Sequence, residues 1–139
     1  MYKNMNRKDV IKYCSELTDV YEDYPFKDDD SVTMKHKKNN KWFALIMNVR
    51  GEEYLNIKTN PEYSELLRKT YDYIIPAYHM NKQHWNTIIL SDKCDTDLIK
   101  ELLEQSYELT KKKFVYNMSN IVYKLDNKNI ILKRNEKNE

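Results

Sequence analysis

The chain contains a single glycine, Gly51, in 139 residues. Glycine-rich phosphate loops and the dinucleotide-binding fingerprint need several glycines, because the backbone must turn tightly and approach its ligand closely, so neither can be written from this sequence. The two cysteines, Cys14 and Cys94, lie far apart, which excludes a CxxC metal or redox pair and points to reduced thiols in a small core. No run approaches the roughly 18–20 apolar residues of a membrane span, and the opening MYKNMNRKDV has no apolar signal core; a cytoplasmic protein without a membrane partner is expected. Charge of one sign is also scarce. The 24 Lys and Arg against 22 Asp and Glu leave a net +2, too little by itself to announce a nucleic-acid partner. What is present, 40% hydrophobic and 33% charged residues, is the composition of one soluble globular domain. A chain this long buries roughly two-thirds of its unfolded surface and needs no disulfide or metal to fold.

Along the chain, Val10, Ile11, Cys14, Leu17, Val20 and Tyr21 recur at three- and four-residue steps and predict a helix over 7–22, with Asn6 as N-cap and Asp9 three residues on. Ser31 to Lys37 alternates as a half-buried strand, with Val32 and Met34 on one side and Thr33, Lys35 and Lys37 on the other. Asn39-Asn40 predicts a tight two-residue hairpin into Lys41–Met47, which is apolar on both parities, as a central strand would be. Asn48 to Gly51 makes a second turn, and Tyr54 to Thr59 a third strand. Asn60-Pro61-Glu62 starts a helix whose apolar positions are Tyr63, Leu66, Leu67 and Tyr71 and which stops before Pro76. Trp85 to Leu90 is a short strand, and Asp95 or Thr96 opens a helix that runs to about Lys111. Beyond it, Ile121–Leu125 and Ile130–Lys133 predict a hairpin, followed by a disordered end. The domain is placed at 1–112 and a basic extension at 113–139.

This order predicts an α+β fold: a two-layer α/β sandwich of a mainly antiparallel sheet with helices on one face. The other face should meet solvent or a partner, and parity assigns to it Lys35, Lys37, Tyr54, Asn56 and Lys58. Several segments then resemble a known family: Tyr24-Pro25-Phe26, Lys41-Trp42-Phe43-Ala44-Leu45, Leu55-Asn56-Ile57-Lys58-Thr59-Asn60-Pro61, Leu67-Arg68, Ile75-Pro76-Ala77-Tyr78-His79-Met80-Asn81-Lys82, His84-Trp85 and Ser106-Tyr107-Glu108-Leu109. In this order they are similar to the signature of the MmcQ/YjbR family over about residues 5–110. The resemblance implies an α-βββ-α-ββ-α domain of the kind likened to frataxin (CyaY-like) and to secretion chaperones, and a DNA-binding protein with a double wing.

Three groups of residues are candidates for a site. Lys35, Lys37, Lys38, Lys41, Arg50, Lys58 and Lys82 could neutralise phosphates without reading bases; alternatively the lysines keep an exposed hairpin soluble and its edge unpaired. Tyr78, His79, Asn81, Lys82, His84 and Trp85 mix polar and aromatic groups. They read first as a structural turn, with Trp85 under the last helix and His79 or Asn81 bonding loop backbone, and second as a stacking and anion-binding surface. The acids Asp19, Glu22, Asp23, Asp28, Asp29 and Asp30 read first as a solvated acidic loop and second, in the frataxin-like comparison, as an iron site, which needs converging oxygens; His79 with His84 lack the further ligands that zinc requires. No nucleophile, acid/base pair or cofactor loop can be assigned, so a non-enzymatic module without metal or cofactor is expected, with DNA or a protein as partner. The charge is uneven: residues 1–110 hold 16 Lys and Arg against 19 acids, while 111–139 hold 8 against 3.

Overall fold

A computed structural model describes residues 5–77, 80–111, 115–118 and 121–124. The elements run α1 (Arg7–Ser15), β1 (Val20–Asp23), β2 (Val32–His36), β3 (Trp42–Val49), β4 (Glu52–Lys58), α2 (Pro61–Thr70), β5 (Ile74–Pro76), β6 (Trp85–Ile89), α3 (Thr96–Thr110), β7 (Val115–Met118) and β8 (Ile121–Lys124). The first six strands form one antiparallel sheet in the order β1-β2-β3-β4-β6-β5. The fold is α+β: α1, α2 and α3 pack on one face, over a core in which Val32, Met34, Ala44, Ile46, Leu55, Ile57 and Ile88 meet Val10, Cys14, Ile99, Leu102 and Leu103.

Local chemistry sets most boundaries. Asn6 and Asp9 form a capping box at α1, the Asn6 side chain accepting from the Asp9 N–H at 2.9 Å and the Asp9 carboxylate from the Asn6 N–H at 3.1 Å. Asn60 caps α2 with Pro61 in the first turn, and Asp95 caps α3 by accepting from Asp97 and Leu98. Arg50 and Gly51, at φ 51° and 89°, make the β3–β4 turn, and the Asn48 side chain accepts from the Gly51 N–H.

Three expectations need correction. The helix expected over 7–22 ends at Ser15. Asp19 enters the left-handed region at φ 57°, and Val20–Asp23 becomes an edge strand on β2. Leu17 and Val20 still pack against the core from the turn and the strand, so burial imitates helical period across two different elements. The first hairpin loop is four residues long rather than two: His36 and Lys41 still pair, and only Asn40 is left-handed, at φ 60°. α2 turns only part of the expected stripe inward: Leu67 and Tyr71 pack against the core, but Tyr63 and Leu66 are exposed at 54% and 61% while Ser64 is buried. Among the described residues β8 pairs with β7; the hairpin expected between 121–125 and 130–133, and the expected disordered end, lie outside the described residues from 125 onward.

The face away from the helices is also closed at its centre. Thr33, Leu45, Asn56 and Thr87 form one cross-strand row and are buried, as is Tyr54. Asn56 lies in the middle of that row, donating to the Leu45 carbonyl and accepting from the Thr87 hydroxyl. Tyr54 and Asn56, expected to face solvent, are therefore interior groups.

Candidate functional site

In an antiparallel meander consecutive turns lie at opposite ends of the sheet. One end carries the β2–β3 loop, the end of β4, the start of β6 and the C-terminus of α3. Lys35, Lys37, Lys38, Lys41, Lys58 and Lys82 all come to this end. Arg50, in the β3–β4 turn, lies at the opposite one, so its grouping with the hairpin lysines is wrong. That opposite end carries more acids than bases: Asp28–Asp30, Glu52, Glu53, Asp92 and Asp95 lie there against Lys27, Arg50 and Lys93, with Arg7 bridging Asp30 and Glu53. The acids grouped by sequence thus separate, Asp19 standing at the basic end and Asp28–Asp30 at the other. On the helix side of the basic end, Glu16, Asp19, Glu62 and Glu108 partly offset the lysines.

The lysines are not equivalent. Lys35 is held by Asp23 at 2.9 Å, over the Tyr21 ring, and a phosphate would have to displace that carboxylate. Lys38 is exposed and lies 3.6 Å from Asp19. Lys37, Lys41, Lys58 and Lys82 make no ion pair among the described residues. Lys111, not singled out by sequence, stands at the same end, over the Tyr107 ring and paired to Glu108. The 111–139 segment, with its excess of basic residues, begins there.

Strand alternation also decides what surrounds these lysines. Ile57 and Asn86 face the helices, so Lys58 and Trp85, which pair across β4 and β6, face away. Tyr21, Lys35 and Trp42 pair across β1, β2 and β3 on that same face. The β2–β3 ladder shifts register between Met34 and Lys35, and the bulge lets Phe43 join the core beside Ala44 while Trp42 pairs with Lys35. Trp85, half-buried, is therefore on the face opposite the last helix and not beneath it.

Of the other motif residues, Tyr78 and His79 lie outside the described residues. Asn81 is a turn residue: its side chain accepts from the Gln83 N–H at 2.9 Å and its carbonyl from His84 and Trp85, as the structural reading anticipated. The His84 carbonyl accepts from the Thr59 N–H at 2.8 Å and continues the β4–β6 pairing. This turn is anchored by residues that periodicity does not reveal. Asn86, fully buried, donates to Thr59 Oγ1 at 2.7 Å and Ser64 Oγ at 3.0 Å; its Oδ1 accepts from Arg68 Nε at 2.6 Å, and Arg68 also donates to the Lys82 carbonyl at 2.5 Å.

The helix side of the basic end is equally specified. Ser106 on α3 donates to the Phe43 carbonyl at 2.6 Å and accepts from the Lys58 N–H at 2.9 Å, bridging β3 and β4 beyond their last pair. His36 packs against Phe43 and Tyr107, and its Nε2 lies 2.7 Å from Thr110 Oγ1. The same hydroxyl lies 2.9 Å from the Ser106 carbonyl and 3.3 Å from the Tyr107 carbonyl. Burial, aided by the Lys111 charge, pushes the His36 pKa below its ordinary value. The hairpin is tied down further by Asn39, which donates to the Thr110 carbonyl at 3.0 Å. A cavity of about 520 Å³ opens beside His36, lined by Asp19, Lys38, Asn39, Tyr107 and Lys111 among others.

Chemically, this end offers exposed ammonium groups, two half-buried indoles and a rigid backbone. Among the described residues no cluster of three or more His, Cys, Asp or Glu could hold a metal ion, and no helix is long and apolar enough to cross a membrane. Both cysteines are free and buried.

The sequence profile of the YjbR family matches residues 15–109. A Bacillus subtilis (strain 168) protein named uncharacterized protein YyaQ is 37% identical over 118 residues, covering 77% of this chain and 99% of that protein. YjbR of Escherichia coli (strain K12), also named uncharacterized, is 35% identical over 66 residues, 48% of this chain and 56% of its own length. Among solved structures, a Pseudomonas syringae protein is similar with a TM-score of 0.72 at 34% identity, covering 77% of this chain and all of that one. A Deinococcus radiodurans protein follows with a TM-score of 0.71 at 32% identity, covering 81% of this chain and 83% of its own. With the profile matched over all six strands of the main sheet and all of α2, the chain belongs to the YjbR family.

Proposed function

We propose that this protein is a non-enzymatic nucleic-acid-binding module that meets DNA phosphates with the lysine-bearing end of its sheet, the β2–β3 loop serving as a wing. The observation that supports this reading is that the fold brings Lys58 and Lys82, distant in sequence, to the end of the sheet that already carries Lys37, Lys38 and Lys41 on the β2–β3 loop, while the other end carries more acids than bases. Exposed lysines on a rigid edge neutralise phosphates independently of sequence. Fluorescence anisotropy with labelled DNA tests the reading. If about five phosphates are neutralised, log affinity falls against log salt with a slope near −4.5 for a duplex. Replacing Lys37, Lys38 and Lys41 with glutamate should abolish most binding and flatten the slope, whereas Arg50→Glu, at the far end, should change little. Absence of binding at low salt would remove the proposal.

A second reading is a protein-interaction or chaperone-like module. Its expected surface, the open sheet face, is closed at the centre, and support comes from elsewhere. Tyr63, Leu66 and Leu109 are exposed along α2 and α3, and a cavity of about 430 Å³ lies there with Glu101, Glu104 and Glu108 on its wall. That chemistry suits a basic, partly apolar peptide. Loss of a captured partner on Leu109→Glu, with Lys41→Glu as the control, separates this reading from the first.

A further inference from the structure

We infer that the basic end of the sheet takes single-stranded nucleic acid, with bases stacked on Trp42 and Trp85 and the intervening phosphate on Lys58. The inference rests on the nucleic-acid reading above and names the form of the ligand. Two cross-strand sets on that face mix aromatic and basic side chains, Tyr21, Lys35 and Trp42 across β1, β2 and β3 and Lys58 with Trp85 across β4 and β6, and they meet where Ser106 stands between the ends of β3 and β4.

Three observations favour a ligand over packing as the role of these side chains. Neither tryptophan belongs to the hydrophobic core or to the side chains packed against it, although both are among the largest apolar groups available. Both are half-buried, which leaves ring surface to meet a base. Lys58 lies between them without an ion pair among the described residues, and Lys41 and Lys82 flank the two sets from the two adjacent loops. Aromatic platforms interleaved with cations recur where single strands bind without sequence preference, because every base has a π-face to stack. A duplex keeps its bases stacked on one another and offers only phosphates.

Trp42 and Trp85 are the chain's two tryptophans, so intrinsic fluorescence reads both sets directly. Unlabelled oligothymidylate of twelve nucleotides is titrated into the full chain at low salt, alongside a duplex of equal length. The expected result is quenching of both indoles by the single strand, seen separately in Trp42→Phe and Trp85→Phe, and little quenching by the duplex. Trp85→Ala and Lys58→Ala should each weaken oligothymidylate binding about tenfold, by loss of one stack or one phosphate contact, while Lys35→Ala should cost less. The phenylalanine variants, which keep an aromatic ring, retain a readout even if the alanine variants fail to fold. Salt-sensitive binding without quenching, or equal quenching by the duplex, would overturn this inference and leave phosphate contact by the loop standing. No binding of either probe would overturn both.

Discussion

Replacing Asn86 with alanine should test how the 81–84 turn is held. The side chain is fully buried and makes three hydrogen bonds, to Thr59, Ser64 and Arg68. After truncation the Thr59 and Ser64 hydroxyls keep their mutual bond at 2.9 Å, so they are not left wholly without partners. Each lost neutral bond then costs about 1 kcal/mol. The bond from the Arg68 guanidinium is charge-assisted, but Arg68 is only partly buried and regains water, which places its share near the low end, about 1–1.5 kcal/mol. The sum is about 3 kcal/mol. For a domain of this size that is a melting temperature lower by roughly 10 °C, and with a urea m-value near ~2 kcal/mol/M the midpoint falls by about 1.5 M. Equilibrium urea unfolding of the wild type, Asn86→Ala, Arg68→Ala and the double variant measures this and closes a mutant cycle. A coupling of about 1 kcal/mol between Arg68 and Asn86 is expected. A loss below about 1 kcal/mol, or a coupling near zero, would refute the claim that this polar junction seats α2 on the sheet.

Two further outcomes follow from buried groups. The Cys14 thiol is pushed up to about 12 by burial, and Cys94 is raised as well and donates to the Ile89 carbonyl, so neither should react with a disulfide reagent in the native state, while denaturation should release both; rapid native labelling would place a thiol at the surface. His36 has a folded pKa held below its ordinary 6.5, so between that value and the lower folded one the unfolded chain binds a proton that the folded chain does not. Stability should therefore fall as pH drops below about 6.5, and the difference between wild type and His36→Gln should change across that window; a pH-independent difference would contradict the buried neutral imidazole.

Much of the fold was legible because its signals are local. Asn6 with Asp9, Asn60-Pro61-Glu62, Asp95 and the Asn48–Gly51 turn each act through neighbours a few residues away, and the structure uses all of them as caps or turns. The failures arise where a distant group decides. α2 buries Ser64 rather than Tyr63 and Leu66 because Asn86, distant in sequence, presents a polar partner beneath it. β1 was hidden because Leu17 and Val20 reach the same core as α1 at helical spacing. At the candidate site the lysines were visible but their arrangement was not fully drawn. Meander geometry alone separates Arg50 from Lys37, and β-alternation alone separates Trp85 from α3. Trp42 needed the bulge at Lys35, which no local pattern announces.

The most direct test of the central claim is the salt dependence of DNA binding by the full chain, measured by anisotropy from low to physiological salt, beside the Lys37, Lys38 and Lys41 glutamate variant and Arg50→Glu. A steep slope is expected, near −4.5 with a duplex, that collapses in the triple variant and persists in Arg50→Glu. Equal loss in both variants, or no binding at low salt, would contradict it.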